Sequence, residues 1–126
     1  MSLRSPLAKA LGLGAAGDGP AHWWSQRVSA VAMVLLTAWF LLSAVSLELG
    51  NQAAVAQWLA APLNTVLMIL LTGTLCYHSA IGLQVVLEDY SRGWSRVIGL
   101  LISQFLHILL AAVAIVAILR IAFGVR

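Results

Sequence analysis

A histidine inside an apolar stretch is the residue of this sequence best placed to do chemistry. Residues 79–87 after His78 are mostly apolar, and the stretch ends in Glu88, Asp89 and Tyr90. A histidine is costly to bury in hydrocarbon, so its presence there indicates a function. Its imidazole can bind a metal, carry a proton or form a hydrogen bond to a neighbouring helix.

The composition is typical of a small membrane protein. Of 126 residues, 62% are hydrophobic and 9% are charged, whereas a soluble domain carries about 25% charged residues. The net charge of +3 is small and scattered, so it does not suggest a nucleic-acid partner. The single cysteine, Cys76, excludes an internal disulfide and a cysteine-rich zinc site.

The apolar pattern predicts an all-α fold with three transmembrane helices, because about 20 apolar residues cross a bilayer. The glycine- and proline-rich segment 1–21 is expected to be a flexible segment on the cytoplasmic or matrix side, and 22–126 the membrane anchor. Ser25 is the expected N-cap of the first helix, and Pro62 suits the first turn of the second. Residues 50–61 and 88–96 are expected to be loops. The predicted helices cover about 25–49, 62–87 and 97–123.

The face of the second helix around His78 has room for a flat macrocycle. At about 100° per residue, Thr74, Gly82 and Asp89 lie within ~40° of His78. A haem needs an axial nitrogen, which a neutral histidine supplies. The alternative is a histidine that only bonds a neighbouring helix, and the residues alone leave both interpretations open.

Three residues near the water edge are candidates for binding a cofactor or a quinone. Tyr90 beside Asp89 can donate a hydrogen bond and protons to a quinone, or the pair can be an ordinary interfacial helix end. Arg27 can contact a haem propionate or a quinone, or it can simply follow the positive-inside rule.

The third helix carries small residues and a second histidine on one face. Gly99, Ser103, His107 and Ala111 recur every four residues, which predicts a close-packing face. His107 and His78 both lie ~17 Å from the same membrane surface. His107 is therefore either a second haem ligand from the same chain or a packing residue, with Gln104 as its candidate partner.

Two segments together resemble a known family. The run from His78 to Tyr90 contains Gly82, Gln84-Val85-Val86 and Asp89-Tyr90, and the run His22-Trp23-Trp24-Ser25-Gln26-Arg27 precedes the first helix. From His22 onward, the sequence resembles the hydrophobic membrane anchor of succinate dehydrogenase (complex II).

The resemblance implies roles for the candidate residues. His78 is implied to be an axial ligand of haem b, with the second ligand supplied by the partner anchor subunit and not by His107. Tyr90 and Asp89 are implied to lie at the ubiquinone site. Arg27 is implied to lie near the haem propionates and the quinone pocket.

The resemblance also implies a complex whose chemistry is shared among subunits. This chain lacks flavin- and iron–sulfur-binding motifs, so it is not expected to be catalytic alone. The implied partners are a flavoprotein, an iron–sulfur subunit and a cytochrome b anchor subunit in a bacterial inner membrane. Electrons from succinate, a tricarboxylic acid cycle substrate, would reach ubiquinone in respiratory electron transport. Alternatives are a fumarate reductase anchor, a self-contained cytochrome b using His78 and His107, and a non-redox assembly or transport subunit.

The basic residues predict the orientation of the chain, because they accumulate on the cytoplasmic side. The 50–61 loop has no Lys or Arg, and the C-terminal end has two. The N-terminal side carries Arg4, Lys9 and Arg27, and the 88–96 loop carries Arg92 and Arg96. Three helices place these two segments on the same side of the membrane. That side, with the N-terminus, is therefore predicted to be cytoplasmic.

We predict that a reporter fused after Arg126 is periplasmic, and that one inserted near Gly93 is cytoplasmic. Alkaline phosphatase and green fluorescent protein fusions measure this, because each is active on one side only. The reverse pattern would contradict the assigned orientation and would place Tyr90 on the outer side.

Overall fold

The computed structural model describes residues 18–124, so most of the predicted N-terminal segment 1–21 lies outside the described residues. The described part is all-α, as predicted, and has no β-strand. Its four helices are α1 (Asp18–Ser46), α2 (Gln52–Ala60), α3 (Pro62–Tyr90) and α4 (Gly93–Ala122).

Three of these helices are long and apolar enough to cross a membrane. The candidate spans are Pro20–Ser46, Pro62–Tyr90 and Gly93–Ala122, with 27, 29 and 30 residues. At about 1.5 Å per residue, each exceeds the ~30 Å hydrocarbon core. The chain is therefore a multi-pass membrane protein, and the three predicted spans are confirmed.

The first helix begins earlier than predicted. It starts at Asp18, not near Ser25, and Pro20 fits there because the first turn needs no N–H from that residue. The prediction that Ser25 caps the helix is wrong. Ser25 lies inside α1, where its hydroxyl donates to the carbonyl of Ala21 at 2.9 Å.

The predicted loop 50–61 contains a short helix, α2, which corrects the sequence prediction. Asn51 is its N-cap, and the side-chain oxygen accepts from the amides of Ala53 at 3.1 Å and Ala54 at 3.2 Å. The polar residues around Asn51 therefore start a helix. Trp58 stacks on Trp39 of α1 with ring centroids 5.7 Å apart, so α2 covers one end of the helix bundle.

The start of α3 completes the hydrogen bonding of α2. The helix begins at Pro62, as predicted. The Thr65 hydroxyl donates to the carbonyl of Leu59 at 2.6 Å, and the Asn64 amide donates to that of Trp58 at 2.8 Å. The last carbonyls of a helix have no partner within it, so these side chains satisfy them at the corner.

The central helix is α3, which packs against both α1 and α4. It runs to Tyr90, and α4 begins at Gly93, so the predicted 88–96 loop shortens to a tight turn. Gly93 has a φ of 60°, a conformation that favours glycine. Arg96 and Glu88 approach to 3.8 Å beside this turn with exposures of 45% and 35%, so this pair adds little stability.

The helices meet through small residues. Only four described residues are buried, Ser29, Leu59, Ser103 and Ile118, and two of them are serines. Lipid is as apolar as leucine, so membrane helices associate through small residues that allow close approach. A Cβ on Gly99 would lie 3.4 Å from Leu87, which supports the predicted packing face of α4.

Candidate functional site

His78 lies half-buried between α3 and α1, and both of its ring nitrogens face α1. Nδ1 lies 2.9 Å from the hydroxyl of Ser29. Nε2 lies 3.3 Å from the side-chain nitrogen of Gln26. Gln26 and Ser29 are three residues apart on α1, so they share one face of that helix.

The directions of these two bonds depend on the tautomer of the ring. The Ser29 hydroxyl has one hydrogen, and it also reaches the backbone carbonyl of Gln26 at 3.1 Å. When that hydrogen goes to the carbonyl, the Ser29 oxygen accepts from the Nδ1–H of His78. The lone pair of the ring then lies on Nε2, where the Gln26 amide donates to it.

This arrangement fits an axial haem ligand. A metal-binding histidine uses one nitrogen for the metal and donates the other N–H to a nearby acceptor. Nε2 of His78 is available to iron once the Gln26 amide is displaced, and Ser29 holds the other nitrogen. The Gln26 side-chain oxygen is buried without a partner among the described residues.

A groove of about 680 Å³ lies between α1 and α3. His78 does not line it, but its partner Gln26 does. The predicted glycine faces it, since a Cβ on Gly82 would lie 3.6 Å from the Gln26 amide nitrogen. Nε2 of His22 is buried without a partner in the described part of the chain. The lining residues are His22, Trp23, Gln26, Gly82, Gln84, Val85 and Glu88.

Arg27 lies beside this groove. Its guanidinium carbon is 5.3 Å from the ring centroid of Trp23, which is a cation–π distance. Trp23 in turn stacks on Trp24 with centroids 6.0 Å apart. Arg27 forms no salt bridge within residues 18–124, so its charge is available to an anionic group.

Tyr90 and Asp89 are not brought into contact with His78. Both lie in the last turn of α3, and the twelve residues from His78 to Tyr90 span ~18 Å. Tyr90 is 87% exposed, and Asp89 is also exposed. Both side chains are therefore accessible at the end of the candidate span.

Sequence reasoning missed three polar residues that line the groove or contact His78. Glu88 lines it and accepts from the Gln84 amide at 3.0 Å, although Asp89 was the predicted acid. Gln26 was noted only as part of the family segment, and Ser29 was not noted. The signal that the sequence offered for Gln26 and Ser29 was their spacing, since two polar residues three apart stand at the start of an apolar span.

His107 belongs to a different contact. Its Nδ1 donates to the carbonyl of Ser103 at 2.7 Å, and its Nε2 accepts from the hydroxyl of Ser79 at 3.1 Å. Ser79, and not Gln104, is therefore its side-chain partner. The structure places His107 at the α3–α4 interface and does not bring it to the site of His78.

Within residues 18–124, no three histidine, cysteine or acidic side chains form a metal-binding cluster. A haem site needs only axial ligands from the protein, so His78 remains the candidate.

The fold defines an all-α membrane subunit with three spans and a groove between α1 and α3. Its sequence matches the family model for the succinate dehydrogenase/fumarate reductase transmembrane subunit over residues 1–122. The chain therefore belongs to this family, and the resemblance to its hydrophobic membrane anchor is confirmed.

Several relatives are named succinate dehydrogenase hydrophobic membrane anchor subunit. The one from Rickettsia bellii is 32% identical over 87 residues, covering 69% of this chain and 70% of the relative. The one from Paracoccus denitrificans is 28% identical over 121 residues, covering 95% and 93%. No solved structure matches.

We predict that His107 and Ser79 stabilise the α3–α4 contact together. Such bonds in membrane proteins contribute about 0.6 kcal/mol on average and at most ~1.7 kcal/mol. In a double-mutant cycle, the variant with both His107→Ala and Ser79→Ala should lose less free energy of unfolding than the two single variants lose in sum. The difference should equal that contribution. Unfolding of the detergent-solubilised protein by sodium dodecyl sulfate gives the free energies.

Ser46→Ala is the matched control for this cycle, because the Ser46 hydroxyl bonds only carbonyls of its own helix. It should show no coupling to His107→Ala. Strict additivity between Ser79→Ala and His107→Ala would mean that the 3.1 Å contact contributes nothing.

Proposed function

We propose that this membrane anchor subunit binds haem b through His78 and forms part of the site where ubiquinone is reduced. The anchor role follows from the family and from the names of the relatives. The family description covers fumarate reductase as well. We propose the succinate dehydrogenase direction because the relatives carry that name.

The observation that carries the haem proposal is the position of His78, whose Nδ1 lies 2.9 Å from Ser29 and whose Nε2 faces Gln26, a residue that lines the groove. With Nδ1 donating to Ser29, Nε2 would bind the iron in place of the Gln26 amide. Arg27 follows Gln26 in the sequence and can contact a haem propionate through its guanidinium. When bound, the haem would supply a one-electron redox centre to the complex.

The proposed quinone site lies at the end of α3. A quinone headgroup rests where the apolar interior meets water, and the exposed phenol of Tyr90 can donate a hydrogen bond to its oxygen. Reduction to a quinol takes up protons, which the Asp89 carboxylate can relay from water. Arg27 is a second candidate donor for this pocket.

The proposed complex needs partners that cover and complete this chain. Only 6% of the apolar window of each span is buried within the chain, which leaves surface for lipid and a second anchor subunit. We propose that this second subunit, the cytochrome b subunit, supplies the other axial ligand. An iron–sulfur subunit and a flavoprotein subunit would deliver electrons at the end that carries Tyr90, in the bacterial inner membrane.

We predict that His78→Ala removes or shifts the reduced haem b spectrum, because it removes the proposed axial nitrogen. The optical spectrum of the purified complex, with and without dithionite, measures this. His107→Ala is the matched control, since both nitrogens of His107 bond within the chain, and it should keep the spectrum. A His78→Ala complex with an unaltered spectrum and redox potential would refute the haem assignment.

We predict that Tyr90→Phe lowers succinate–quinone turnover roughly tenfold, which corresponds to ~1.4 kcal/mol. Only the hydroxyl is removed, and a hydrogen bond contributes about 0.5–1.5 kcal/mol, or more when the acceptor gains charge. Steady-state reduction of a ubiquinone analogue measures the rate. Succinate oxidation by an artificial acceptor should stay near normal, as should the haem content.

Tyr77→Phe is the matched control on the same helix, and it should keep full quinone turnover. Asp89→Asn should slow quinone reduction and change its pH dependence if the carboxylate relays protons. Full quinone reductase activity in both Tyr90→Phe and Asp89→Asn would mean that this end of α3 is only an interfacial anchor.

A further inference from the structure

We propose that Ser29 is a positioning residue for the haem ligand, and that its hydroxyl fixes the tautomer and the orientation of His78. This inference rests on the proposed haem-binding function. Nothing in the family match or in the names of the relatives assigns a role to Ser29. Its test has readouts other than the activity of the complex.

The first step is the chain of donors and acceptors. Nδ1 of His78 lies 2.9 Å from the Ser29 oxygen, and the Ser29 hydroxyl reaches the Gln26 carbonyl at 3.1 Å. A histidine that binds iron through Nε2 must carry its proton on Nδ1. The Ser29 oxygen can accept from that N–H while its own single hydrogen goes to the carbonyl, so the contact suits the tautomer with its lone pair on Nε2.

The second step is the burial of Ser29. It is 6% exposed, so water does not compete for its hydroxyl. A small residue is expected wherever helices cross closely, and alanine would serve packing alone. The hydroxyl adds a hydrogen bond to a ring nitrogen, which alanine cannot provide.

The third step is the effect on a bound metal. A hydrogen bond from the outer nitrogen fixes the ring and makes the ligand nitrogen more basic. A more basic ligand favours ferric over ferrous iron. Loss of the bond should therefore loosen the haem and move its midpoint potential to more positive values.

The test uses the intact complex purified with Ser29→Ala, Ser29→Thr or Ser25→Ala. Ser25 is the matched control, because it lies on the same helix and its hydroxyl donates only to the carbonyl of Ala21. The readouts are haem content, rate of haem transfer to an apo-haemoprotein, midpoint potential and the ferric electron paramagnetic resonance spectrum.

For Ser29→Ala we expect haem affinity to fall roughly tenfold or more, as for other groups that orient metal ligands. We also expect a more positive midpoint potential and an altered ferric spectrum. Ser29→Thr should restore all three, since threonine keeps the hydroxyl. Ser25→Ala should match the parent complex.

Two results separate this inference from the haem assignment itself. If Ser29→Ala keeps the parent's haem affinity, potential and spectrum while His78→Ala loses them, the positioning role is wrong and the proposed function stands. If His78→Ala changes nothing, the haem assignment fails.

A second variant keeps the test decisive if Ser29→Ala does not assemble. Ser29→Cys has nearly the same shape, but its sulfur is a weak acceptor. The potential should again move to more positive values. A Ser29→Cys complex with the parent's potential and spectrum would overturn the proposal.

Discussion

Hydrocarbon offers no hydrogen-bond partners, and this constraint governs the whole molecule. Each span is helical because the backbone must satisfy its polar groups internally. The same constraint applies to side chains. His78 bonds Ser29 and Gln26, whereas His107 bonds Ser79 and the Ser103 carbonyl. The two mid-span histidines therefore join helices.

The central helix α3 uses neighbouring residues for its two contacts. His78 faces α1, and Ser79, about 100° further round the helix, faces α4. One of these contacts can change without the other, because different helices supply the partners. This separation explains how a histidine at a candidate cofactor site can coexist with one that serves packing at the same depth.

The apolar surface of the chain is directed outward. Its described part has only four buried residues, so the packing within this chain is thin for three long helices. Lipid and other subunits must provide the remaining contacts, as expected of an anchor in the succinate dehydrogenase family. The groove lined by Gln26 lies between α1 and α3 of this chain, and a second subunit can complete it.

The sequence by itself determined the three spans, the all-α class and the position of His78 on a helix face with small residues, because length, hydropathy and helical periodicity are local properties. It placed the start of α1 too late and missed α2, because the residues that begin these helices, Pro20 and Asn51 among them, are also common in loops. Only the tertiary structure decided that Ser29 and Gln26 bond His78, that Ser79 bonds His107, and that Glu88 rather than Asp89 faces the groove. The hydrogen-bonded partners are separated by 28 to 52 residues in the chain. Glu88 and Asp89 differ only by a rotation about the axis of α3. Such contacts depend on how the helices pack, which local sequence patterns do not specify.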